Sequence, residues 1–205
     1  ISEILGDREP DYLVISHLEP DHAANIGRLA EMYPKMQLVG NAKTFSMLPQ
    51  FFEMDLTDRT VVVKEGDELS LGSHTLKFFL APMVHWPEVM VTYDEKDKVL
   101  FSADGFGTFG AISENLPWIQ EARRYYINIV GKYGPSVQML LKKAAGLDIA
   151  MICPLHGPVL KDDLSFYLDK YNTWSSYTPE DQGVDVAYAS MHGNTKEAAV
   201  YIAEQ

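Results

Sequence analysis

The fold class predicted for this chain is α/β, in an order of elements that two β-sheets layered between helices accommodate. Three observations lead there. Short apolar runs rich in Val, Ile and Phe alternate with longer stretches of helical periodicity. Several runs end abruptly in a histidine or an aspartate. Near the C-terminus a strand–loop–helix pattern starts afresh after Thr178-Pro179-Glu180-Asp181-Gln182-Gly183.

The elements follow in order. Tyr12-Leu13-Val14-Ile15 is β-branched, bounded by Pro10-Asp11, and reads as a buried strand. Residues 23–33 carry apolar side chains at helical spacing (Ala23, Ile26, Leu29, Ala30, Tyr33) and stop before Pro34. Residues 37–40 form a short strand and 42–52 a helix. Residues 60–63 form a strand that turns at Glu65-Gly66-Asp67. Strands follow at 69–71, 75–80, 90–93 and 99–102, the last two paired across Glu95-Lys96-Asp97. Helices are predicted at 116–133 and 137–145, before a strand that ends at His156. Phe166, Tyr167, Tyr171 and Trp174 give the next segment a helical apolar face, and residues 178–183 read as a linker. The nine methionines, and aromatics such as Phe79 and Phe101, are assigned to the core. Trp86, Phe106, Phe109, Tyr125 and Tyr126 are assigned there too, with a metal pocket as the alternative.

Ser16-His17-Leu18-Glu19-Pro20-Asp21-His22 crowds four potential metal ligands into six positions. It lies on a strand-to-helix loop, at the carboxyl end of a strand, where open α/β sheets place their chemistry. In an extended loop His17, Glu19 and Asp21 point the same way, and His22 starts the next turn. Such a loop can hold two metal ions. His85, Asp104 and His156 each close a later apolar run, so four of the six histidines sit at such positions. Taken singly, each is an ordinary cap or turn residue. Their recurrence after the H-x-E-x-D-H cluster points to a dimetal centre. His74 and His192 fall outside the set, His74 as a surface strand residue.

Residues 184–189 are predicted as a strand. They run into Ser190-Met191-His192-Gly193-Asn194-Thr195 and then a helix at 196–204. This arrangement lets backbone N–H groups and a helix N-terminus hold a phosphate. Ser190 and Thr195 add hydroxyls, Gly193 permits the tight turn, Asn194 braces the loop, and His192 either touches the phosphate or faces solvent.

Lys and Arg total 17 against 29 Asp and Glu, a net charge of −12, which excludes a nucleic-acid partner of the ordinary basic kind. No run of eighteen apolar residues exists, and residues from Ile1 lack the form of a signal peptide, so no membrane and a cytoplasmic setting are expected. The single cysteine, Cys153, cannot form an internal disulfide and reads as a packing residue.

The ligand pattern resembles the metallo-β-lactamase superfamily, and within it the flavodiiron proteins (A-type flavoproteins). Most hydrolases of that superfamily carry H-x-H-x-D-H; here Glu19 replaces the second imidazole. Harder oxygen ligands shift preference toward iron or manganese, whereas imidazole-rich sets suit zinc. The spacings of 63 positions from His22 to His85 and 19 from His85 to Asp104 look like the family's, while the 52 from Asp104 to His156 is somewhat short. The text Asp104-Gly105-Phe106-Gly107-Thr108-Phe109-Gly110 and Cys153-Pro154-Leu155-His156-Gly157-Pro158 is similar too. Residue by residue, the resemblance implies that His17, Glu19 and His85 bind one iron, Asp21, His22 and His156 the other, and Asp104 bridges. The Ser190–Thr195 loop resembles the first flavodoxin loop, S/T-x-x-G-N-T, which holds the phosphate of FMN.

The resemblance implies a metallo-β-lactamase-like αββα sandwich over residues 1–177, a linker at 178–183, and the start of a flavodoxin-like FMN-binding domain at 184–205. The chain then reads as a fragment lacking N-terminal strands and most of the flavin domain. The implied activity is reduction of O2 to water, of NO to N2O, or of both, at a diiron centre fed by FMN. A rubredoxin or similar electron donor and a head-to-tail homodimer (or dimer of dimers) are implied with it. Two rivals are a dizinc hydrolase of the same fold, thioesterase or lactonase in type, and a binder or sensor with structural metals. Glu19 and the 190–195 loop count against the first. Seven mixed ligands exceed what a closed four-ligand structural site needs, which counts against the second.

Overall fold

In a computed structural model, residues 1–111 and 117–205 are described. After a short helix α1 (Ser2–Leu5), strand β1 (Tyr12–Val14) begins a parallel sheet that adds β2 (Gln37–Asn41) and β3 (Thr60–Val63) in the order β1-β2-β3. Leu13 stands opposite Leu38, and Val39 opposite Val61. Between β1 and β2 the chain forms α2 (Pro20–Ala23) and α3 (Ile26–Met32); α4 (Ala42–Met47) follows β2.

The second sheet has the order β4-β5-β6-β7-β8, from β4 (Glu68–Ser70), β5 (Thr75–Leu80), β6 (Met90–Asp94), β7 (Val99–Phe101) and β8 (Met151–Cys153). Its first four strands are antiparallel, and β8 joins β7 in parallel. Helices α5 (Trp118–Tyr125), α6 (Gly134–Ala144) and α7 (Leu164–Ser175) lie between β7 and the C-terminal segment, which ends in α8 (Asn194–Ala203).

Strand alternation sends successive side chains to opposite faces, and here it builds three apolar layers. Phe78 and Met90 face inward with Val39 and Val63, filling the space between the sheets. Their neighbours Phe79 and Val91 face outward against Ala122, Val137 and Tyr171 of the helices. On the far side Ile15, Leu18 and Leu38 pack against Ile26, Ala30 and Leu48. The result is the expected αββα layering. The Met90 amide donates to the Ser16 carbonyl at 2.9 Å, which ties the two sheets together at the end carrying the ligand loop.

Several expectations are corrected. The helix expected over 23–33 breaks at residues 24–25 and starts earlier, at Pro20, because proline is suited to the first helical turn. The helix over 42–52 gives way after Met47 to a single 3₁₀ turn, Leu48–Gln50, at Pro49. The helix expected over 116–133 is three pieces: α5, a π-helical turn Tyr126–Val130 and a 3₁₀ turn Gly131–Tyr133. Its expected start, Leu116, lies outside the described residues. The π turn carries Tyr126 and Val130, both buried in the core. The last strand is only Met151–Cys153, so His156 lies beyond it on a loop. His74 sits in the turn before β5, with Nδ1 2.7 Å from Asp94 Oδ2, rather than on a strand. Residues 184–189 form no strand, since no described segment pairs with them and a lone strand leaves its backbone groups unpaired. In the segment read as linker, Glu180 accepts from Arg123 at 2.6 Å and from Lys170 at 2.8 Å.

Candidate metal centre

The site is built from four chain segments. β1 delivers the loop from Ile15 to Glu19, and Pro20 starts α2 with Glu19 at its N-cap. Asp21 and His22 are therefore on a helical turn, not on the extended loop expected from the sequence. The bend spreads the cluster: His22 stands between the two sides, with ligand atoms of His17, Glu19 and Asp104 within 4.8 Å of one another and of its own, and it also groups with Asp21 and His156. His85 comes from the connection between β5 and β6, Asp104 from the turn after β7, and His156 from the loop after β8. Ala103 and Phe106 flank Asp104 with φ of 51° and 68°. These left-handed backbones are uncommon outside glycine and concentrate where a side chain must be aimed.

Asp104 is fully buried and stands at the centre. Its Oδ2 lies 2.9 Å from His85 Nε2 and 3.4 Å from His17 Nε2. Glu19 Oε2 closes that group, 2.8 Å from His85 Nε2 and 3.4 Å from His17 Nε2. The other oxygen, Oδ1, lies 3.3 Å from His22 Nε2 and 3.9 Å from His156 Nε2. Asp21 Oδ2 completes this second group, 3.4 Å from His22 and 3.3 Å from His156, whose Nε2 atoms are 3.0 Å apart. The fold thus gathers all seven residues singled out as metal ligands, in two groups that share one carboxylate.

Two donors each about 2.1 Å from one ion stand about 3.0 Å apart at a right angle and about 3.4 Å apart at the tetrahedral angle. The separations of 2.8–3.4 Å within the groups match that spacing, and the 3.9 Å from His156 to Asp104 needs only a wider angle. Asp104 Oδ1 is buried without a hydrogen-bond partner among the described residues. The donor set, four imidazoles and three carboxylates, fits a pair of cations.

The electrostatics of the site follow from the same contacts. Burial pushes His17 down, but the hydrogen bonds and charges of Asp104 and Glu19 outweigh it and leave its pKa above the ordinary value. His85 is raised by the same balance. His22 is lowered, because burial and the neighbouring His17 and His156 outweigh Asp104 and Asp21. For Asp104 burial acts upward, yet His17, His85 and His22 hold its carboxyl well below the usual range. The neighbouring imidazoles thus favour the charged form of a buried carboxylate, a role that bound cations would take over.

The surroundings divide by depth. His17 and Asp104 have side chains 0% and 1% exposed, while Asp21 and His156 are 51% and 33% exposed. Glu19, at 30%, brings the first group to the surface as well, and Asp21 is the most exposed of the seven. Trp86 packs edge-on against the His17 ring at 6.4 Å, and Tyr125 lies 5.5 Å from the His156 ring, so these two line the site. Burial, then the charge of Asp104, pushes the Tyr125 phenol well above its usual range. Phe106 and Tyr126 belong to the core with Tyr171, and Phe109 packs on Tyr125. Gly157, next to His156, has φ of 87° and sits so close to Thr108 that a Cβ would collide with its hydroxyl.

Sequence reasoning missed Glu88, which is 1% exposed beneath the ligand loop. Its only signal was an acidic residue in the otherwise apolar run Pro87-Glu88-Val89-Met90. Asn41 was missed too: its Oδ1 caps α4 and its amide donates to the Glu88 carbonyl at 2.7 Å.

The 190–195 loop lies away from this cluster in sequence and leads into α8. Gly193 has φ of 94° at the N-cap, and its amide donates to Ser190 Oγ at 3.0 Å. Met191, His192, Asn194 and Thr195 are exposed. No described helix is long and apolar enough to cross a membrane.

Comparison with known proteins gives a consistent picture. The family profile described as ODP family beta lactamase matches residues 1–157. A rubredoxin-oxygen oxidoreductase of Megalodesulfovibrio gigas is 34% identical over 100% of this chain and 53% of its own length. An anaerobic nitric oxide reductase flavorubredoxin of Aeromonas hydrophila is 31% identical over 95% of this chain and 41% of its own. Among solved structures, a flavo di-iron protein mutant from Thermotoga maritima superposes with a TM-score of 0.84 at 25% identity, covering 99% of this chain and 54% of that one. The chain therefore spans about half the length of the curated relatives it matches.

Proposed function

The chain belongs to the ODP family of β-lactamase-like proteins, and from that premise we propose that it is the diiron part of an oxidoreductase that reduces O2 to water, NO to N2O, or both. The observation that carries this reading is the division of seven donors into two groups across the two oxygens of buried Asp104. His17, Glu19 and His85 would hold one iron, Asp21, His22 and His156 the other, with Asp104 between them. Ser190, Met191, His192, Gly193, Asn194 and Thr195 would hold the phosphate of FMN, through backbone N–H groups and the α8 N-terminus. When bound, two ferrous ions and a flavin together supply the four electrons of O2 reduction or the two that join a pair of NO molecules.

The chain's own residues set the conditions for that chemistry. Glu19 and the two other carboxylates supply negative charge that favours the harder ferric state over zinc. The exposed Asp21 and the half-buried His156 give a small diatomic its way in, while His17 and Asp104 are sealed from water. Tyr125 keeps its phenolic proton beside Asp104 and His156. A rubredoxin-type donor belongs to the same reading, supported by the names of the two relatives; a head-to-tail dimer, in which one subunit's flavin serves the other's metal pair, is proposed with it.

The test uses the whole polypeptide, purified from iron-replete cells. Two irons and one FMN per chain, with O2 or NO consumption driven by reduced rubredoxin, are expected. Two zinc ions that resist exchange, together with thioester hydrolysis, would overturn the proposal in favour of a hydrolase.

A further inference from the structure

Glu88 lies on the connection from His85 to β6, with its carboxyl group buried beneath the ligand loop. Its Oε1 accepts the Leu18 amide at 2.8 Å. Leu18 is fully buried and stands between two of the residues assigned to the first iron, His17 and Glu19. The Glu88 carbonyl in turn accepts from Asn41 at 2.7 Å, and Asn41 caps α4. One residue therefore joins the ligand loop, the His85 connection and the end of β2.

Two buried atoms beside this junction have no hydrogen-bond partner among the described residues: Glu88 Oε2 and His17 Nδ1. One is an acceptor and the other a ring nitrogen. They flank the same peptide group, since the Leu18 amide held by Glu88 is the next one along the chain from the His17 imidazole, but they are not paired with each other here, so the carboxylate or the ring has to turn for them to meet. His17 turns its Nε2 toward Glu19 and Asp104. A cation on Nε2 of a neutral imidazole leaves the ring proton on Nδ1, where it needs an acceptor. Metal-bound histidines commonly meet that need with a carboxylate, which fixes both tautomer and ring orientation.

We propose that Glu88 is the positioning residue of the metal loop, with one carboxylate oxygen on the Leu18 amide and the other taking the Nδ1 proton of His17 once Nε2 holds a cation. This rests on the metal-centre reading given above. It extends the site by a residue that touches no metal and explains an acidic group placed in an apolar layer, where an unpaired carboxylate is costly.

Glu88→Gln in the full chain separates the two bonds. Glutamine keeps an oxygen for the Leu18 amide but offers a donor where His17 needs an acceptor. With Co2+ alone as the probe, the variant should keep its circular dichroism and bind two ions at saturation. One of its two binding steps should weaken 10- to 100-fold, the usual range for an outer partner of a metal-bound histidine, and its visible d–d band should shift. Wild-type affinity and spectrum in Glu88→Gln would overturn the proposal.

Should that variant fail to fold, the wild-type chain carries the test. Loaded with Zn2+ and labelled with 15N-histidine, it should show the His17 Nδ1 proton at low field, slow to exchange and in contact with the Glu88 side-chain protons. A fast-exchanging proton without those contacts would overturn the proposal. A wild-type chain that takes up no pair of ions removes the metal-centre reading and this one with it. Two ions in the wild type and a silent Glu88→Gln remove this one alone.

Discussion

Replacing Asp104 by asparagine should remove most of the stability that metal gives the protein. Asparagine keeps the shape, but it leaves one neutral oxygen where the carboxylate turned Oδ2 to His17 and His85 and Oδ1 to His22. Its amide hydrogens necessarily face one of the two groups and repel a cation there, so both sites suffer. Loss of an outer hydrogen-bond partner alone weakens a metal site about 10- to 100-fold, and loss of a shared ligand should reach at least the upper figure at each. At a free metal concentration about 100 times the wild-type Kd, each ion stabilises the fold by about 2.7 kcal/mol. A Kd raised about 100-fold cuts that to about 0.4 kcal/mol per ion. Over two ions the difference is about 4.6 kcal/mol, which for a chain of this size lowers the metal-induced rise in Tm by about 9–18 °C. Scanning calorimetry with and without ferrous iron, together with iron analysis, reads this directly. His74→Ala and His192→Ala serve as controls, since neither residue belongs to the cluster. FMN binding in the whole polypeptide should be unchanged. Full iron occupancy and an undiminished thermal increment in Asp104→Asn would show that the two groups do not share this carboxylate.

Further outcomes follow from other parts of the molecule. Glu19→His returns the loop to an imidazole-rich set and should move metal preference toward zinc while lowering redox turnover, read by metal analysis after growth in mixed metals. Gly193→Val and Thr195→Val in the whole polypeptide should weaken FMN retention, the first by blocking a left-handed turn and the second by removing a hydroxyl. The 205-residue chain alone should hold FMN weakly or not at all, and a stoichiometric yellow protein would contradict this. The Glu180 carboxyl is held down to about 2 by Arg123, against a smaller opposing effect of burial, with Lys170 and Trp174 adding to Arg123. A depressed carboxyl contributes stability that is present above its unfolded pKa and lost as pH falls through the folded one. Glu180→Gln should therefore cost about 1 kcal/mol at pH 7, discounted because Arg123 is partly exposed, and almost nothing at pH 2. A pH-independent difference in urea unfolding would count against the pairing.

The residues of the cluster were legible because His17, His85, Asp104 and His156 each stand where an apolar run stops. A strand must bury its branched side chains, and a histidine or aspartate at its end has no such reason to be there. Spacing carried the rest: His17, Glu19, Asp21 and His22 are close in any conformation of six residues. Other features were not legible. The Leu18 amide needs a buried acceptor only because the ligand loop packs on the connection before β6, so Glu88 looked like a stray charge until the two segments met. Residues 116–133 read as one helix because a single π turn and a single 3₁₀ turn are too short to break a helical pattern of side chains; packing of Tyr126 and Val130 into the core accompanies the π turn.

By itself the sequence determined the alternation of strands and helices and singled out the seven side chains that the fold gathers, since these depend on residue type and local spacing. Tertiary structure alone decided which donors meet. Pro20 starts a helix that carries Asp21 and His22 round toward His156, and β7 in the second sheet ends so that Asp104 meets His17, His85 and His22. It also decided that residues 184–189 form no strand. A strand is a relation between two segments, and its hydrogen bonds cannot be made by one segment alone.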